Sequence, residues 1–250
     1  MRNPHTKEGT RTMTINQIIC GESASVLAGF PAGSVDLVVT DPPYLCNYRD
    51  RFGRTLANDD NAEGVLPVFD EVWRVLKDNS YCISFYGWTG IADFAARWEA
   101  LGFRTVGHLV WPKPYASKVG YAEYRHESAF ILAKGNPAKP SQPISDVQRW
   151  EYTGNRSHPT EKAVSVIAPL LRAFSKPSDL VLDPFCGSGA TPVAAALSGR
   201  DYIGIEMEAR YCAIAERRLA GVQRKQSTSV GFVTQPSTWS ECSDALRLGA

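Results

Sequence analysis

Short apolar runs that read as strands alternate with segments whose apolar residues recur every three to four positions. This alternation constrains the fold more than any other feature of the chain. Apolar runs at residues 35–40, 81–86, 103–111, 128–132, 180–182 and 201–205 predict strands. Val65, Phe69, Val72, Trp73 and Leu76 share one helical face, which predicts an amphipathic helix over 62–77. Ile91, Phe94, Ala95, Trp98 and Leu101 predict a second helix, stopped by Gly102. Further helices are predicted over 160–174, 189–197 and 208–220. Such alternation argues for an α/β domain with a doubly wound, mostly parallel sheet. The pattern breaks at residues 112–125 and 133–157, which read as loops.

A chain of 250 residues suits one domain with a full core. Residues 1–13 are polar, and 221–250 are rich in Ser, Thr and Gln without a period. Both ends therefore read as disordered tails, leaving 14–220 as the folded domain. The first twelve residues lack the apolar stretch of a signal peptide, and no run is long enough to cross a bilayer, so a cytoplasmic protein is expected. The formal net charge is only +1, so contact with a polyanion requires a local basic patch. Cys20, Cys46, Cys82, Cys186, Cys212 and Cys242 are scattered without a CxxC pair. They read as small buried hydrophobes in a reducing compartment, and no metal site is expected.

Two strand-to-loop junctions carry the chemistry. The run 180–182 leads into Asp183-Pro184-Phe185-Cys186-Gly187-Ser188-Gly189, a glycine turn that opens a helix and lets backbone approach a ligand closely. The next strand ends in Glu206, about 20 residues on, where an acid suits ribose hydroxyls. The turn lacks both a full dinucleotide fingerprint and the Lys-Ser/Thr of a phosphate loop, so a nucleoside without pyrophosphate fits it better. Taken alone, such a turn can equally do no more than link strand to helix. The run 35–40 leads into Asp41-Pro42-Pro43-Tyr44. Two prolines cannot continue a sheet and lack N–H donors, so the Pro42 carbonyl is free to accept from a ligand. Asp41 adds a second acceptor, and together they suit the two N–H donors of an exocyclic amino group. Tyr44 offers a flat face for stacking. A proline-rich turn capped by Asp is the bland alternative. If the two strands are central neighbours, both loops open into one crevice at the carboxyl edge of the sheet.

These two motifs, in this order, resemble the beta class of DNA amino-methyltransferases, with DPPY preceding the cofactor motif DPFCGSG; the likeness covers roughly residues 18–219. The resemblance implies a Rossmann-like methyltransferase fold and S-adenosylmethionine as cofactor. It implies Asp41, Pro42, Pro43 and Tyr44 as the catalytic loop, Asp183 and Phe185 to Gly189 with Glu206 around the cofactor, and Asp41 beside it. Cys20-Gly21-Glu22 resembles the family element near the adenine, with Glu22 where Asp is usual. His158-Pro159-Thr160-Glu161-Lys162 resembles a further cofactor element, in which Ala163 replaces a common Pro and Thr160 can equally be a helix N-cap at which the methionine carboxylate is bound. Trp111-Pro112-Lys113 and His126-Glu127 also match family positions, with His126 read as structural. The implied reaction is base flipping and direct in-line transfer to the N6 of adenine in duplex DNA, without metal. N4-cytosine transfer, RNA methylation, and a non-catalytic DNA-binding module are the alternatives, and a restriction partner or a solitary methylase both remain open. Target recognition is expected in loops 112–157, through Lys113, Tyr115, Lys118, Tyr121, Tyr124 and Arg125, then Arg149, Trp150, Tyr152 and Arg156, with Arg49, Arg51 and Arg54 after DPPY. A short recognition region suggests a homodimer that embraces the DNA.

Overall fold

The computed structural model describes residues 13–49, 53, 59–60 and 62–229, with side chains described through Arg224. Strands β1 (Gln17–Cys20), β2 (Val35–Thr40), β3 (Leu76–Tyr86), β4 (Arg104–Pro112), β5 (His126–Lys134), β6 (Leu180–Asp183) and β7 (Asp201–Glu206) form one sheet. Its order is β1-β7-β6-β2-β3-β5-β4. Every pairing from β1 to β3 is parallel, and β5 runs antiparallel to both β3 and β4. The central pair is β6–β2, so the two motif-bearing strands are neighbours, as the crevice argument requires. Arg51, Arg54, Cys242 and, of the predicted tails 1–13 and 221–250, residues 1–12 and 230–250 lie outside the described residues.

Helices cover both faces, which is why the central strands are apolar along their whole length. Helices α5 (Val164–Phe174), α6 (Ala190–Leu197) and α7 (Ala209–Ser229) pack on one face. Helices α1 (Ser23–Leu27), α3 (Val68–Val75) and α4 (Ile91–Leu101) cover the other. Leu37 and Val39 of β2 join the first core, and Val38 joins the second. Val35 breaks this alternation and sides with Val38, because the β2–β3 register slips between Val35 and Leu37. The second core centres on Phe69, Phe94 and Trp98, whose rings meet edge-on or tilted at 5.6–5.9 Å. Burying a side chain of this size contributes roughly 2–3 kcal/mol. The Arg97–Asp70 ion pair joins α4 to α3 beside it.

Several predicted boundaries shift. The single helix expected over 62–77 is two, α2 (Ala62–Val65) and α3, because Pro67 has no N–H to continue the first. Strand β3 begins at Leu76 rather than residue 81; Asn79 turns left-handed within its polar first half (φ 59°). Strand β1 and the five-residue α1 were not expected. The helix expected from Thr160 starts at Val164 with Ala163 at its N-cap, so Thr160 caps nothing and presents no helix start to a ligand. Helix α7 continues to Ser229, past the expected end at 220. Gly102 closes α4 in a left-handed conformation (φ 93°), as read from the sequence.

Candidate active site

Asp41-Pro42-Pro43-Tyr44 leaves β2 at the carboxyl edge and is packed tightly against the end of β3. A Cβ added to Gly87 would lie 2.7 Å from the Tyr44 Cβ, and one added to Gly90 would lie 2.8 Å from the Tyr44 carbonyl oxygen. Glycine at both positions lets the loop sit this close. The Tyr44 hydroxyl donates to Asp41 Oδ1 at 2.6 Å. Lys162 Nζ donates to Asp41 Oδ2 at 2.6 Å and to the Tyr44 oxygen at 3.2 Å. Behind them lies Glu127, whose Oε1 accepts from Lys113 Nζ at 2.7 Å and whose Oε2 lies 3.8 Å from Lys162 Nζ. Burial pushes the Asp41 carboxyl up, and the Lys162 charge pulls it back only in part. Burial alone would depress Lys162, but Asp41 and Glu127 outweigh it and hold the ammonium above its usual range. Burial acts upward on Glu127 too, yet the charges of Lys162 and Lys113 leave it lowered.

The glycine turn between β6 and α6 uses left-handed backbone at Gly187 (φ 50°) and Gly189 (φ 84°). Gly187 N–H donates to Glu206 Oε2 at 3.0 Å, tying the turn to the end of β7, and Glu208 N–H donates to Oε1 at 2.8 Å. Arg218 of α7 holds the turn from behind, donating to the Ser188 carbonyl at 2.8 Å and pairing with Glu161 at 3.1 Å. The Asp183 carboxylate accepts from Phe185 N–H at 3.1 Å, and burial pushes its pKa up to about 7.

Both motifs open into one cleft of about 820 Å³, counted out into open solvent, lined by Glu22, Asp41 to Tyr44, His158, Thr160, Phe185, Gly187 and Glu206. A hollow of about 420 Å³ shares Asp41, His158, Thr160, Phe185 and Gly187, and adds Lys162, Asp183, Cys186 and Ser188. Most expected cofactor residues therefore converge. Pro159 and Gly189 line neither space. Pro159 is buried with its carbonyl accepting from Asn155 at 2.6 Å, and Gly189 supplies the turn. Glu22 lines the cleft, but both its oxygens already cap α1 through Ala24 and Ser25 N–H. Lys162 sends its ammonium to Asp41 rather than outward. Tyr48, Asp59, Met207 and Glu208 also line the cleft without having been singled out.

On the expected DNA face, Arg49, Lys118, Tyr121, Arg125, Arg149 and Arg156 are exposed, and Tyr115 is half-buried with its hydroxyl accepting from the Trp150 indole at 3.2 Å. Lys113 is a correction: it is 6% exposed and committed to Glu127 and Ser117, so it cannot reach a phosphate. Cys20 and Cys46 are exposed rather than buried. Residues 117–124 form a small hairpin, with Ser117 and Tyr124 bonded across its root and Val119 and Tyr121 exposed at its tip. Trp88, not expected, is 60% exposed and stacks on Tyr124 at 5.5 Å and 13°. It follows Gly87 directly, which places it at the rim of the Tyr44 loop. Among the described residues no His, Cys, Asp and Glu group could hold a metal ion, and no helix is long and apolar enough to cross a membrane.

A mostly parallel, doubly covered sheet with its cleft at the carboxyl edge, between the central strands, defines a protein of the Rossmann-like methyltransferase class. TTHA0409 of Thermus thermophilus, in complex with S-adenosyl-L-methionine, superposes with a TM-score of 0.64 at 28% identity over 82% of this chain and 93% of that one. YubD of Escherichia coli (strain K12) is 51% identical over 210 residues, 84% of this chain and 92% of its own length. The type II methyltransferase M.HinfI of Haemophilus influenzae is 27% identical over 84% of this chain and 69% of its own. The N6/N4 DNA methylase family model matches residues 35–217, and the chain belongs to that family.

Proposed function

We propose that this protein transfers a methyl group from S-adenosylmethionine to the N6 amino group of adenine in duplex DNA. The observation that carries the reading is Asp41, an acceptor at the end of β2, opening into one cleft with the glycine turn and Glu206. The residues present fit that cofactor. Glu22, Asp41, Glu206 and Glu208 line the cleft, a carboxylate-rich wall that suits a cationic nucleoside and opposes a pyrophosphate. When bound, S-adenosylmethionine supplies a methyl group activated by its sulfonium. Glu206 would hold the ribose hydroxyls, and the Gly187 backbone, lacking a Cβ, leaves room for the nucleoside.

The chain's own part is positioning. Asp41 and the Pro42 carbonyl accept the two amino N–H groups, turning the nitrogen lone pair toward the methyl carbon. Attack by that lone pair would form the N–C bond to the methyl that bound S-adenosylmethionine would supply, and its sulfur would keep the S–C electron pair. The proton then leaves the amine for Asp41 or water. Tyr44 gives the extruded base a ring to stack on while its hydroxyl stays on Asp41. The exposed cations Arg49, Lys118, Arg125, Arg149 and Arg156 supply phosphate contacts, and Trp88 and Tyr121 supply ring faces near the vacated position. This face is short, and a second copy of the chain would extend it. A DNA substrate puts the protein in the cytoplasm. Incubation with unmethylated genomic DNA and S-adenosylmethionine, followed by single-molecule sequencing, tests the reading. N6-methyladenine at one repeated motif is expected; N4-methylcytosine would move the assignment to the family's other reaction, and no modified base would sink DNA methylation.

A further inference from the structure

We propose that Lys162 is a positioning residue for Asp41 rather than a cofactor ligand, and that Glu127 acts on the same carboxylate with the opposite sign. This rests on the methyl-transfer reading above and deepens it.

The geometry is specific. The Lys162 side chain is 7% exposed, and its ammonium reaches Asp41 Oδ2 at 2.6 Å, the Tyr44 oxygen at 3.2 Å and Glu127 Oε2 at 3.8 Å. It also lies 5.0 Å from the centre of the Phe85 ring. A buried ammonium needs its counter-charges, and these two carboxylates supply them. The charges continue outward: Glu127 Oε1 takes Lys113, which also holds Ser117 at the root of the 117–124 hairpin. Four alternating charges thus run from the recognition loop to the acceptor.

An ionised Asp41 has about four lone-pair sites on two oxygens. Lys162 and Tyr44 occupy one each, so the carboxylate remains able to accept an amino N–H. It does so only while ionised. Lys162, from the 158–162 turn, favours that state, as does the Tyr44 hydroxyl. Glu127 from β5 and Asp183 at the end of β6 oppose it. Removing Lys162 therefore raises the pH at which Asp41 becomes competent, and removing the Glu127 charge lowers it.

The test uses the full chain and a duplex that the wild type methylates. S-adenosylmethionine affinity is measured by calorimetry, and the single-turnover rate is followed across pH. Lys162→Met should keep cofactor Kd within about twofold and slow transfer at least about tenfold. The acid limb should move up by about one pH unit or more, the size expected from losing an adjacent opposite charge. Glu127→Gln should move the same limb down, and Lys162→Arg should restore most of the rate. If Lys162→Met does not fold, the downward shift in Glu127→Gln still decides. A Lys162→Met enzyme whose cofactor Kd weakens tenfold and whose rate returns at saturating cofactor would overturn the proposal, making Lys162 a cofactor ligand. A limb that stays fixed in both variants would overturn it as well, while leaving methyl transfer intact. A wild type that binds the cofactor but methylates no DNA would remove the functional reading, and this proposal with it.

Discussion

Gly87→Ala isolates the support of the catalytic loop from its chemistry. Gly87 is not in the left-handed region, so alanine is strained there only by what its methyl meets. It meets the root of Tyr44: Cβ at 2.7 Å, Cγ at 2.9 Å and Cδ2 at 3.0 Å. Carbon atoms prefer about 3.5–4.0 Å, so one partner must yield by about 1 Å. Gly87 is fixed at the end of β3, and the Cβ of Tyr44 cannot swing aside as the end of a flexible chain can. The loop itself must shift, and with it Asp41, bonded to the Tyr44 hydroxyl. Displacement of this size costs on the order of 100-fold in rate. Overpacking should also cost about 1–3 kcal/mol of stability. The glycine turn and Glu206 are untouched, so cofactor affinity should hold. The assay is single-turnover methylation at saturating DNA beside calorimetric titration of S-adenosylmethionine and a melting curve. Gly221→Ala serves as control, since a Cβ there meets nothing within 4 Å and helix propensity should raise stability by up to about 1 kcal/mol. If Gly87→Ala transfers methyl at the wild-type rate, the loop is not held by that contact and the reasoning is wrong.

Glu206→Gln should weaken S-adenosylmethionine binding about tenfold or more, the scale of a lost charged hydrogen bond, with little change in DNA affinity; calorimetry checks it. Trp88→Ala should raise the KM for duplex DNA by about 5-fold to 100-fold through lost stacking, with cofactor Kd unchanged, and an unaltered KM would remove Trp88 from the DNA face. Asp183 also bears on stability. Its folded pKa of about 7 lies above an ordinary carboxyl at about 3.9. The folded state therefore binds the extra proton, and this contribution, full below about pH 4, is lost as pH rises through 7. Melting temperature should fall between pH 5 and 8, and Asp183→Asn should flatten that slope.

The central strands were legible because burial on both faces leaves an unbroken apolar run; β2 ended where its run ended, and β6 one residue past it, at Asp183. Strand β1 was not, since Gln17–Cys20 is four residues long, lies at the sheet edge and is only half-buried. The polar first half of β3 was missed for a related reason: Lys77 to Asn79 bulge out between the Leu76–Val35 and Ser80–Lys134 pairings, and Asn79 turns left-handed there, so no apolar run marks them. Both cleft motifs could be read locally, each being a strand end followed by residues with unusual backbone needs. What joins them could not. Asp41 and Lys162 are 121 positions apart, and nothing near either indicates the pairing. The Lys113 prediction failed on the same ground. Among aromatic and basic neighbours a lysine reads as a phosphate contact, and only Glu127, fourteen residues on, turns it inward. The signal that could have found it was there in part: a lysine at a strand end and an acid at the start of the next strand face each other once the two strands pair antiparallel. Trp111 opposite Glu127 and Pro112 opposite His126 fix that register, leaving Lys113 and Glu127 at the same end of the β4–β5 pair. Pairing two predicted strands before assigning roles to the charges at their ends would have separated the buried lysine from the exposed arginines.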